Sequence, residues 1–182
     1  MHEFLEYLSK TRCIHLTSFG NYDQFDFFIT CIKKVKTKKR NMIISIDPGF
    51  EYTQKYWHAM LESLSFVDYM FLNEIEFVNL CSHTGSNQQK LIDSLKSTAP
   101  SLMLIIKKQA ETICLDVGNS IVGSYKHDVI DDNEIVCDTG AGDAFAGGFL
   151  AGLLRGMSLD KSAALGSIAA KRVLCRTPAI IS

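Results

Sequence analysis

Asp138-Thr139-Gly140-Ala141-Gly142-Asp143-Ala144-Phe145-Ala146-Gly147-Gly148-Phe149-Leu150 is the most informative stretch of this 182-residue chain. It reads as a turn of small residues feeding a helix. Gly140, Ala141 and Gly142 carry no bulky side chain, so their backbone can approach a ligand closely. The first N–H groups of a helix have no internal acceptor and point out of its N-terminus. Together these features form a nest suited to an anion, phosphate above all. Asp143 stands at the same helix start, where a carboxylate is stabilised. A carboxylate beside an anion nest can take a proton from a hydroxyl while the amides hold developing phosphoryl charge. The plainer reading is close helix packing with Asp143 as a cap. Against it stand Gly147, Gly148 and Gly152, each of which weakens a helix by about 1 kcal/mol relative to alanine. A backbone, a sheet or a ligand must need the close approach.

Outward from this stretch, short apolar runs alternate with longer amphipathic ones. Residues 13–18, 42–47, 68–73 and 102–107 are brief and nearly continuous in apolar residues, and so read as buried strands. Helices are expected over 25–38, 53–64, 75–80 and 88–97; in the second, Trp57, Met60, Leu61 and Leu64 share a face. This alternation builds an α/β fold, a mostly parallel sheet with helices on both faces. Ile113–Val117 and Ile121–Tyr125 flank Gly118-Asn119-Ser120 and read as a hairpin. Two helices close the chain, one from near Asp143 to a left-handed cap at Gly156, the next from an N-cap at Ser158 to about Cys175.

Composition narrows the function classes. Nineteen basic and twenty acidic side chains leave a net charge of −1, so nothing global draws the chain toward nucleic acid or an anionic membrane. The one basic run, Lys33 to Arg40, falls at a helix end and lacks interleaved aromatics, which favours a solvated terminus over a nucleic-acid patch. No apolar run of membrane-spanning length and no basic leader is present, and a cytoplasmic location is expected. The six cysteines are scattered without a CxxC pair and are expected as reduced core residues. Cys81-Ser82-His83 lacks a second half for a metal site. No GxGxxG follows the first strand, which argues against a dinucleotide-binding dehydrogenase.

The stretch Asp138–Leu150 resembles the C-terminal signature of the PfkB carbohydrate kinase family, which includes ribokinase and adenosine kinase. The resemblance implies a single ribokinase-like domain over 1–182 and ATP-dependent phosphorylation of a sugar or nucleoside hydroxyl. It implies that Asp143 is the general base, and that Gly140, Ala141 and Gly142, with the amide of Asp143, form the anion hole. Asn73-Glu74-Ile75-Glu76 matches the family's Asn-x-x-Glu element, so Asn73 and Glu76 are expected to organise Mg²⁺ and the nucleotide phosphates, Glu76 indirectly. Its plain alternative is an ordinary helix cap. The resemblance also implies nucleotide-binding roles for Lys107, at the end of the strand before the nucleotide loop, and for Ser167, within Leu165–Ala170 on the helix beside the base, where small residues read equally as packing. Asp47-Pro48-Gly49 resembles a family strand end, and reads equally as a turn.

Three departures qualify the resemblance. It covers only the family's second half, without the N-terminal substrate half and its lid, so weak transfer and competing hydrolysis are expected. This leaves room for a truncated, non-catalytic nucleotide- or partner-binding remnant, for self-association, or for a complementing N-terminal half. Gln109 and Thr112 stand where the family's nucleotide loop has glycines, which would lower ATP affinity if φ > 0 were needed there. Cys137 occupies the place of an acid linked to a monovalent cation, which argues against activation by K⁺.

Overall fold

The computed structural model describes residues 2–17, 19, 21–61 and 63–175. Six strands form one sheet in the order β1-β2-β3-β4-β5-β6: Cys13–Thr17, Ile43–Asp47, Tyr69–Asn73, Met103–Lys107, Glu111–Asp116 and Ile121–Lys126. The first four pair in parallel. A three-residue link cannot make a parallel crossover, and the bonds from Lys108 N–H to the Glu111 carbonyl (3.0 Å) and from Val117 N–H to the Leu102 carbonyl (3.1 Å) set β5 antiparallel to β4. His127 N–H donates to the Ala110 carbonyl at 3.1 Å, closing β6 back along β5. The hairpin expected from Gly118-Asn119-Ser120 therefore forms, and Ser120 takes φ 54° in its turn. Residue 18, the expected end of the first strand, lies outside the described residues.

The chain divides into two compact units, Met1–Lys107 with Ile113–Gly123, and Lys108–Thr112 with Ser124–Ser182. In the first, the helices are α1 (His2–Ser9), α2 (Tyr22–Lys38), α3 (Gly49–Gln54), α4 (Trp57–Leu61), α5 (Glu74–Ser82) and α6 (Gln88–Thr98). Asn21 starts α2 by accepting from Gln24 N–H at 2.9 Å, and Asn87 starts α6 by accepting from Lys90 N–H at 3.1 Å. Phe25, Ile29, Ile32 and Val35 recur at helical spacing and bury one stripe of α2. They join Leu91, Ile92 and Leu95 of α6 in a core that receives Ile44, Ile46, Met70, Leu72 and Leu104 from alternate strand positions. The intervening positions Ser45, Phe71 and Ile105 are also buried, so the central strands read as continuous apolar runs.

The helix expected over 53–64 is instead three short pieces, α3, α4 and a 3₁₀ turn at Leu64–Phe66. The break falls at Lys55-Tyr56. There Tyr56 packs on Tyr52 and Tyr22, with ring centroids 5.2 and 6.2 Å away, while Trp57 turns to stack on His83 at 6.2 Å. Neighbouring rings with separate destinations are not served by one helix face. Trp57, Met60 and Leu64 are still buried. The basic run is more than a solvated end: Lys36 pairs with Asp68 at 2.5 Å, and Lys39 donates to the carbonyls of Ser9 and Thr11.

The second unit is built on α7 (Ala141–Leu154) and α8 (Leu159–Leu174). Gly156 takes φ 74°, Met157 N–H returns to the Gly152 carbonyl (3.1 Å), and Gly156 N–H returns to the Leu153 carbonyl (2.9 Å). This is a Schellman ending for α7 at the expected glycine. Glycines also explain how closely the two helices lie. A Cβ on Gly148 would stand 2.7 Å from the Leu165 carbonyl oxygen, and one on Gly152 would stand 2.9 Å from Ser162 Cα. A Cβ on Gly166 would meet the Phe145 carbonyl oxygen at 2.9 Å. The costly glycines of α7 at 148 and 152 serve backbone contact with α8. Gly147 has open space around it, and nothing in the structure explains it.

Candidate phosphate turn and sheet-edge cluster

In the first unit, Thr17, Asp47, Asn73 and Lys107 are the last residues of β1 to β4, with Thr17 opposite Asp47 and Asn73 opposite Lys107 in register. Open α/β sheets bind ligands at this carboxyl edge. Asn73 caps α5: its side chain accepts from Glu76 N–H at 2.8 Å, while Glu76 Oε2 accepts from Asn73 N–H at 2.8 Å. This reciprocal capping box leaves Glu76 only 5% exposed. Burial is the main cause that pushes its carboxyl above the usual range; Asp47 adds to the rise, while the Asn73 amide and Lys107 oppose it. Lys107 Nζ donates to Asp47 Oδ2 at 2.7 Å, with both side chains mostly buried.

Asp47 was the site candidate least legible in the sequence, where Asp-Pro-Gly reads as a turn. Its position at the end of a buried strand is the signal that could have raised it. Beyond Lys107, neither Gln109 nor Thr112 has φ > 0, so this chain's backbone needs no glycine at either place. Thr112 instead lies fully buried in β5.

In the second unit, Gly140 is the N-cap of α7 with φ 83° and ψ −1°, and no side chain caps the helix. A left-handed residue here favours glycine, since a Cβ would be strained even with open space around it. Ala144 N–H returns to the Gly140 carbonyl at 2.9 Å, and Ala141 N–H is taken by the Asp138 carbonyl at 3.2 Å. The N–H groups of Gly142 and Asp143 fall in the first turn, where backbone N–H groups point out of the helix N-terminus. Gly140, Ala141 and Gly142 are half-buried and Asp143 is exposed, so the turn is open to a ligand. Ser167 lies on α8 beside Gly166, and its Oγ is buried without a hydrogen-bond partner among the described residues.

The predicted residues thus fall into two groups. Asn73, Glu76 and Lys107 gather with Asp47 in the first unit, while Gly140 to Asp143 gather at one helix start in the second, with Ser167 on the neighbouring helix. A nucleotide fits what the second unit shows, namely a helix start entered by a left-handed glycine and a buried hydroxyl without a partner among the described residues. For a metal ion, no group of three or more His, Cys, Asp or Glu side chains suited to one occurs among the described residues. Mg²⁺ asks for less, one or two carboxylates with water and phosphate completing its shell, and Glu76 and Asp47 are the carboxylates that fit.

A mostly parallel α/β sheet followed by a glycine-entered helix pair is the ribokinase-like fold. The chain belongs to the pfkB family carbohydrate kinase group, whose profile matches residues 4–182. It is similar to a nucleoside kinase of Methanocaldococcus jannaschii, with 26% identity over 155 residues, 82% of this chain and 45% of that protein. An adenosine kinase of Schizosaccharomyces pombe is 27% identical over 169 residues, 88% of this chain and 49% of the other. Among solved structures, Anopheles gambiae adenosine kinase in complex with P1,P4-di(adenosine-5) tetraphosphate superposes with TM-score 0.80 at 22% identity, covering 95% of this chain and 53% of that one. Ribokinase from Giardia lamblia gives TM-score 0.80 at 19% identity, covering 97% and 58%. The chain therefore spans about half the length of the curated relatives it matches. No helix among the described residues is long and apolar enough to cross a membrane.

Proposed function

We propose that this chain supplies the nucleotide-binding and catalytic portion of a kinase that transfers the terminal phosphoryl group of ATP to a hydroxyl of a nucleoside or sugar. Among the two acceptor classes, nucleosides are favoured, because relatives named as nucleoside, adenosine and cytidine kinases recur among the matches. The observation that carries the reading is the start of α7: a left-handed glycine cap at half-buried Gly140, followed within the first turn by the exposed Asp143. In this reading the amides of Gly142 and Asp143 hold the transferring phosphoryl group, and Gly140 and Ala141 shape the backbone that presents them. Asp143 accepts the acceptor hydroxyl's proton. Asn73 and Glu76 organise the phosphates and their metal, Lys107 supplies a positive charge held by Asp47, and Ser167 Oγ is offered to the nucleotide. Mg²⁺, when bound, neutralises phosphate charge.

The experiment is phosphoryl transfer from ATP to a panel of nucleosides and sugars by the active assembly containing this chain, wild type against Asp143→Asn. Turnover should fall by roughly 10²- to 10⁴-fold with ATP affinity little changed, since only the proton acceptor is removed. Unchanged turnover would remove Asp143 from its role. ATP binding with no transfer to any acceptor would instead favour a nucleotide-binding remnant.

A further inference from the structure

The six cysteines are all free thiols, but they are not all core residues. Cys31, Cys81 and Cys114 are buried, Cys13 and Cys137 are half-buried, and Cys175 is exposed. Cys137 and Cys175 are the two that lie in the second unit, and the backbone brings them together. The Leu174 carbonyl accepts from both Val136 N–H (2.8 Å) and Cys137 N–H (3.3 Å). That carbonyl belongs to the peptide bond that ends on Cys175. Standard covalent geometry keeps the two Cα atoms no more than about 7.5 Å apart, and closer for the bent approach of a hydrogen bond to a carbonyl. Disulfides span about 4.4–6.8 Å between Cα atoms.

We infer that Cys137 and Cys175 form a peroxide-sensitive thiol pair that closes into a reversible disulfide. Cys175, the exposed partner, attacks one oxygen of hydrogen peroxide as thiolate; the O–O bond breaks, hydroxide leaves, and a sulfenic acid remains. Cys137 then attacks that sulfur, the S–S bond forms and the S–O bond breaks. Over both steps two thiols and one peroxide yield one disulfide and two waters. The remaining thiols compete poorly, because burial pushes Cys114 up to about 12 and raises Cys13, Cys31 and Cys81 as well. The bond would pin the residue just before Asp138, whose carbonyl holds Ala141 N–H at the entrance to α7, to the end of α8.

The test treats the purified chain with hydrogen peroxide, blocks residual thiols with an alkylating agent and maps the peptides by mass spectrometry. A cross-linked Cys137–Cys175 peptide should appear, lighter by two hydrogens and restored by dithiothreitol. Cys175→Ser should leave Cys137 open to alkylation after the same treatment, and Cys137→Ser should carry Cys175 on to sulfinic acid. Wild-type protein in which Cys175 is over-oxidised while Cys137 stays alkylatable would overturn the pair. So would a bond between two molecules or to any other cysteine. These readouts do not depend on the kinase reading, and either can fail alone.

Discussion

The sheet edge of the first unit and the helix entrance of the second are both polar, but they settle their polar groups in opposite ways. At the edge, Asn73 and Glu76 satisfy one another through a capping box, and Lys107 is matched by Asp47. At the entrance, Gly140 offers no side chain to cap the helix, and the Ala141 N–H goes to the Asp138 backbone carbonyl. An edge already internally bonded is a scaffold that holds its shape before a ligand arrives. A helix start capped by glycine gives up only about a few tenths of a kcal/mol relative to a side-chain cap, and is better suited to bind an anion.

The contrast can be broken from either side. Beyond the Asp143→Asn effect on turnover, the largest expected change is in stability at the sheet edge. Asp47→Asn strands a mostly buried Lys107 and should cost about 2–3 kcal/mol in urea denaturation; replacing both partners with apolar residues should recover much of that loss. Next comes the helix pair. Gly148→Ala must push Cβ against the Leu165 backbone and should cost about 1–3 kcal/mol, whereas Gly147→Ala, in open space, should stabilise by about 1 kcal/mol. Equal effects at the two glycines would refute backbone contact as the reason for Gly148.

The smallest effect concerns Glu76 and pH. Its folded-state carboxyl titrates above the ordinary 4.5, so between the two values the native state holds a proton that the unfolded chain has lost. Its contribution to stability therefore declines as pH rises through that window. Glu76→Gln cannot ionise and its amide oxygen can still accept from Asn73 N–H. Thermal melts should show the variant gaining on wild type between pH 4 and 7, by roughly 1 kcal/mol or less. A variant that loses ground as pH rises would show that the charged form is the one the fold favours.

What could be read from the sequence follows the range of each interaction. The strands were legible because Ile43–Asp47 and Met103–Lys107 are buried on both faces and so appear as nearly continuous apolar runs. The α7 entrance was legible because a glycine cap, a first-turn acid and their spacing are all local. The break at Tyr56 was not, since it depends on Tyr22 and His83, which are distant in sequence. Neither was the Asp47–Lys107 pair, 60 positions apart, nor the approach of Cys137 to Leu174. The glycines of α7 announced a close approach without naming its object, and only the fold assigns two of them to α8.

That contact has a mechanical consequence. At Gly148 and Gly152 the two helices meet with almost no side-chain padding between them, and close-packed backbone has few rotamer changes with which to absorb strain. The far end of α8 lies beside the segment that enters α7, through the Leu174 carbonyl. The hairpin should therefore behave as a stiff lever. A push delivered where α8 ends would arrive at the mouth of α7 as displacement, with little slack lost along its length of about 20 Å.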